Sequence, residues 1–146
     1  MRLLSLPLIL LLVFAGAKLG PGLFDSAPAG ARPTDRPVHC DRKLKAGADV
    51  AAAIRAARGG TTICLASGFY GAIEGSRLKK KPAVTVRPAS GARAEVEGVN
   101  LIDPAGLRLV DLHLEEGISI SPSAARIAIL GNEITGANGI YLFGDY

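Results

Sequence analysis

Beyond residue 60 the apolar residues alternate with polar ones in short bursts, and the bursts recur at a nearly constant interval. In GAIEG, AEVEG, GISIS and GIYLF, the aliphatic residues Ile73, Val96, Ile118 and Ile140 follow one another at 23, 22 and 22 residues. A second series, Ile63 and Leu65, Val84 and Val86, Leu107 and Leu109, Ile127 and Ile129, steps by 21, 23 and 20. A third sets Leu112-x-Leu114 beside Asn132-x-Ile134. Alternation at period two predicts strands, and glycines between the bursts supply the bends. A unit of roughly 22 residues cannot bury its own apolar side chains, so successive units must stack with the inward residues in columns. That is a solenoid.

Leucine-rich repeats share this period, and LRLVDLHL has their look. Against them, the strands favour Val and Ile, no Asn follows the frame regularly, and no repeat carries a helix. The one helical pattern lies earlier, in Asp49 to Arg58 (DVAAAIRAAR). Asp49 is placed to cap it, Gly59-Gly60 to end it, and Val50, Ile54 and Ala57 form one apolar stripe. A short one-sided helix must lie against something apolar.

The remaining segments read differently. Arg2 precedes an apolar run from Leu3 to Phe14, broken only by Ser5 and Pro7, and Ala15-Gly16-Ala17 follows. This order predicts a secretory signal over residues 1–17, since the run falls short of the ~20 apolar residues of a spanning helix. The protein is thus expected to be secreted or periplasmic, with no membrane span after cleavage. Residues 18–37 are rich in Pro, Gly and Ala without an apolar period and read as a flexible linker. Residues 38–146 form the remaining domain.

Removing Arg2 with the leader leaves 16 Lys and Arg against 13 acids, a charge of +3. That is too mild for a nucleic-acid partner. Cys40 and Cys64 are the two cysteines. In an exported chain such a pair predicts a disulfide, and neither lies in a CxxC that would suggest metal or redox chemistry.

With these elements in place, DVAAAIRAARGGTTICLASGFYG resembles the N-terminal start of right-handed parallel β-helix proteins of the pectate-lyase-like superfamily. There a capping helix, a Gly-containing turn, an apolar strand and a Gly-x-Tyr element follow in order, and Gly68-Phe69-Tyr70 matches the last of these. ARIAILGNEITGANGIYLFG resembles one repeat of the same fold, with its Gly-Asn turn. The likeness covers residues 38–146. It implies an all-β, right-handed parallel β-helix of about four coils, capped at its N-terminus by the helix, with Val50 and Ile54 over the opening. It also implies a role for the disulfide, tying the segment before the cap to the first strand after it. Such a bond closes a loop of about 25 residues, worth about 3 kcal/mol by the chain-entropy argument.

Candidate chemistry follows from the outward positions. If Ile73, Val96, Ile118 and Ile140 point in, then Glu74, Glu97, Ser119 and Tyr141 form one outward column at a rung spacing of about 4.8 Å, with Phe143 further along the last strand. Glu74 and Glu97 are the candidate catalytic carboxylates, as a general acid pair or as ligands for a divalent cation. The competing reading makes both solvated strand charges partnered by Arg77 or Lys79. Tyr141 and Phe143 would offer a flat face to a sugar ring, beside Ser119. Lys79 and Lys80, in the basic run Arg77 to Lys81, are expected on an exposed connection between coils, which either attracts acidic sugars by charge or is simply a solvated loop. Asp111, His113 and Glu115 alternate on one face and read as outer polar residues rather than as a metal site. The amide of Asn132 is expected to satisfy neighbouring backbone groups.

The superfamily contains lyases, hydrolases, epimerases and binding proteins, so the resemblance specifies fold better than reaction. Its lyases use calcium ligands and a basic residue on central coils. No such set is found here residue by residue, no cofactor is evident, and Ca2+ remains an expectation for the complete protein. The functional expectation is an exported protein acting on, or binding, acidic polysaccharide, as a polysaccharide lyase or glycoside hydrolase. The alternative is a non-catalytic cell-surface or periplasmic binding and adhesion module. The last residues suggest an uncapped coil, hence a fragment whose further coils hold the main active site, or an end that self-associates with another copy.

Overall fold

The computed structural model describes residues 38–143. The predicted signal (1–17) and linker (18–37) lie outside the described residues. What is described is a parallel β-solenoid of about five turns with one short helix near its start.

After β1, each winding contributes one strand to each of three sheets, and every strand pair is parallel. The first sheet runs β1 (Arg42–Leu44), β2 (Thr62–Leu65), β5 (Lys79–Pro88), β8 (Ala105–Val110), β11 (Ala125–Leu130). The second runs β3 (Gly68–Tyr70), β6 (Ala94–Val96), β9 (His113–Leu114), β12 (Glu133–Ile134). The third runs β4 (Ile73–Ser76), β7 (Val99–Ile102), β10 (Ile118–Ile120), β13 (Ile140–Leu142). The corners between the second and third sheets lengthen along the axis, from residues 71–72 and 97–98 to 115–117 and then 135–139.

Side chains of alternate strand residues point inward and stack on those of the next rung. Val84 and Leu107, then Val86 and Leu109, pair in register, and Leu107 and Leu109 pair in turn with Ile127 and Ile129. These steps match the periodicity. The first step does not, because Ile63 pairs with Val86 rather than Val84. The slip is by two residues, so the inward face is kept. The cause is β5. Its ladder with β8 jumps between Lys79 and Val84, so the basic residues expected in a loop are part of an irregular strand.

Within β5 the backbone crowds its neighbours. A Cβ on Gly59 would run into the carbonyl oxygen of Lys81, and one on Gly106, which sits at φ +69°, into that of Lys80. These two positions need glycine for close approach.

The helix α1 (Val50–Ala56) lies between β1 and β2, so one rung precedes it. Asp49 caps it by accepting from the Ala52 amide at 2.8 Å. Val50, Ala51, Ala53 and Ile54 are buried in the same apolar cluster as the columns. At the other end of the helix, Lys80 Nζ donates to the carbonyls of Arg55 and Ala57 at 2.8 and 2.7 Å. A cation on these otherwise unpaired carbonyls also opposes the negative end of the helix.

Two polar groups stitch rungs together from inside. Tyr70 is fully buried and its hydroxyl lies 3.1 Å from the Leu44 carbonyl and 3.0 Å from that of Ala66. Asn132 accepts from the Leu112 amide at 3.0 Å and donates to the Leu109 carbonyl at 2.9 Å, the backbone-satisfying role expected of it. Cys40 and Cys64 form a disulfide with Cα atoms 5.7 Å apart, tying the segment before β1 to β2.

Candidate functional site

The register corrects the outward column. β4 pairs with β7, and Glu74 lies beside Asn100, because Ile73 pairs with Val99. Val96 belongs to the second sheet, between Tyr70 and Leu114. Asn100 pairs with Ser119 and Ser119 with Tyr141, so the column reads Glu74, Asn100, Ser119, Tyr141. Glu97 sits at the preceding corner, where its carboxylate accepts from the Ala72 amide at 3.2 Å. Glu74 and Glu97 are therefore not rung neighbours. Neither forms an ion pair with Arg77 or Lys79 among the described residues.

The frame that carries the column is Gly-aliphatic-x-aliphatic, in GVNLI, GISIS and GIYLF. Aligning on that frame would have found Asn100. The nearly equal spacing of Val96 concealed it, because corner and side lengths vary from one winding to the next.

A groove of about 400 Å³ runs over this column. On the corner side it is lined by Ala72, Gly98, Gly117, Glu116 and Asn138. Space for larger residues is tightest at Gly117. A Cβ on Gly117 would meet the carbonyl oxygen of Gly139, and one on Gly98 would lie 3.2 Å from Glu116 Cβ. Glu116 and Asn138, like Asn100, were not singled out by sequence reasoning. Their corner has no strand alternation to predict where a side chain stands.

Tyr141 and Phe143 close one end of the groove, 49% and 57% exposed. Phe143 is also a wall of a second hollow, lined by Ser121, Ser123 and Leu142 among others. The groove thus combines hydrogen-bonding side chains in a row with aromatic faces at its end. Its lining includes the carboxylates of Glu74 and Glu116 and no basic residue.

The other candidates lie elsewhere. Lys79 pairs with Asp103 at 3.0 Å, and Lys80 is held by the helix end. Neither lines the groove. Asp111 pairs with Arg87 at 3.3 Å, while His113 Nδ1 lies 3.0 Å from Glu133 Oε2. Among the described residues no group of three His, Cys, Asp or Glu side chains is arranged to hold a metal ion. No helix among them is long and apolar enough to cross a membrane. Compared with family models, curated proteins and solved structures, the chain matches none.

Proposed function

We propose that this is an exported glycan-binding β-solenoid of the pectate-lyase-like kind, whose groove takes a short stretch of neutral polysaccharide. The observation that carries the reading is the column Glu74, Asn100, Ser119, Tyr141, with Phe143 beside its end. A sugar ring presents hydroxyls at its edge and C–H groups on its face. Glu74, Asn100 and Ser119 address the first, and exposed aromatic rings the second. Two carboxylates without a cation in the lining favour uncharged sugars over uronates. The leader-like first segment and the Cys40–Cys64 bond support export to an oxidising compartment.

A hydrolytic reading has one observation in its favour. Glu74 and Glu116 border the same groove, and a pair of carboxylates flanking a glycosidic bond is what hydrolysis needs. In that reading Glu116 replaces Glu97 as the partner of Glu74.

The test is a panel of neutral and acidic oligosaccharides, titrated against the purified chain by calorimetry, with release of reducing ends followed in parallel. Neutral ligands should bind, and Tyr141→Ala should weaken them about three- to tenfold, the size of one aromatic stacking contact. An unchanged affinity in that variant, or no binding across the panel, would discard the reading. Cleavage abolished by Glu74→Gln and by Glu116→Gln would make it a hydrolase.

A further inference from the structure

The charged side chains are not spread evenly. Arg42, Lys43 and Lys45 on and just after β1, Arg58 after α1, and Lys81 in β5 are all exposed. The acids of this region are otherwise engaged. Asp41 accepts from the Thr62 amide at 2.7 Å and from His39 at 3.0 Å, and Asp49 caps α1 and lies 3.7 Å from Arg55. Those five cations have no acidic partner among the described residues.

The backbone brings several of them to one corner of the first sheet. The Asp41 amide donates to the Thr62 carbonyl, the Thr61 amide to that of Arg58, and the Gly60 amide to that of Pro82. Gly59 lies against Lys81. The backbones at Arg42, Arg58 and Lys81 therefore come together near the starts of β1, β2 and β5, with Arg58 in the turn that leads into β2. Glutamates gather instead at the groove corner, where the Glu116 amide donates to the Glu97 carbonyl at 2.6 Å.

Like charges held together on a rigid face repel one another and create a positive potential that attracts a polyanion. Arg42 and Arg58 add planar forks suited to carboxylates or sulfates. The exposed aromatic ring on the first windings, Phe69, belongs to β3 in the second sheet, where its carbonyl accepts from the Gly47 amide, and not to the first-sheet corner of Arg42, Arg58 and Lys81. We infer that the helix-capped end is a second binding face, for an acidic polysaccharide, separate from the neutral groove. Its contact does not depend on the groove reading.

The experiment passes the full chain over immobilised polyuronate and, separately, over a sulfated polysaccharide. Retention should be strong at about 0.05 M salt and lost by about 0.5 M, because exposed charges are screened. R58E/K81E should weaken binding at least about tenfold, and R58Q/K81Q by a smaller factor. R108E/R126E makes the same change in net charge on β8 and β11 and should alter binding by less than about twofold. Preference for one column over the other identifies the acidic group. Equal losses in the R58E/K81E and R108E/R126E variants would overturn the inference, since net charge alone would then explain retention. So would failure to bind either column, or tighter binding to nucleic acid or anionic vesicles.

Discussion

At the scale of single residues, the interior of this solenoid is apolar except where a polar atom reaches a backbone group of a neighbouring rung. Tyr70 is such a case, its hydroxyl sharing the carbonyls of Leu44 and Ala66 between successive windings. Burial favours the protonated phenol and pushes its pKa above the ordinary 10.0. The unfolded chain, with an ordinary tyrosine, releases its proton first. The contribution of Tyr70 is therefore intact below about pH 10 and is lost as pH rises through the folded-state value. Tyr70→Phe should be less stable than the parent by about 1 kcal/mol near neutrality. Urea unfolding at several pH values should show that gap narrowing as alkali is added. A gap that stays constant up to the highest pH at which the fold survives would refute this account.

At the scale of elements, close packing of neighbouring rungs leaves no room at certain backbone positions. Gly106 is boxed in by Lys80, whereas Gly47, at φ +78°, faces open space. Both need a left-handed backbone, which costs an alanine about 1 kcal/mol. Gly106→Ala adds a backbone collision and should cost about 2 kcal/mol or more, against about 1 kcal/mol for Gly47→Ala, by chemical denaturation. Equal losses would mean that β5 yields freely. The same elements show what could be read from the chain beforehand. Strand alternation, the stacking period and the cap at Asp49 are local properties, and they were legible. Which strand lies on which depends on corner lengths, and these vary. That is why Val96 seemed to continue the Ile73 column and actually belongs to the neighbouring second sheet, in line with Tyr70 and Leu114. The bulge in β5 hid itself similarly, because lysines before a proline look like a loop. Ser119 and Tyr141 stand beside each other in register, as the alternation of their strands predicted.

At the scale of the molecule, the two ends of the described solenoid differ. One is closed by α1 and tied by Cys40–Cys64, with a sequence separation of 24. On the last described rung, Leu130, Ile140 and Leu142 are exposed. The disulfide should matter most to the first winding, where Cys64 is fully buried between rungs. Reduction, or the C40A/C64A replacement, should lower unfolding free energy by about 3 kcal/mol. Denaturation with and without a thiol reductant measures it. Coincident curves would show that the first winding holds without the bond.

The corner between the second and third sheets grows from two residues to five along the axis while the strands on either side stay in step. Insertions there leave the apolar stack untouched and change only the rim over the groove. Mutation can therefore explore new ligand preferences at this hinge of the winding without endangering folding, much as antibodies vary loops on a constant frame. A lineage built on this scaffold should diversify first at that edge.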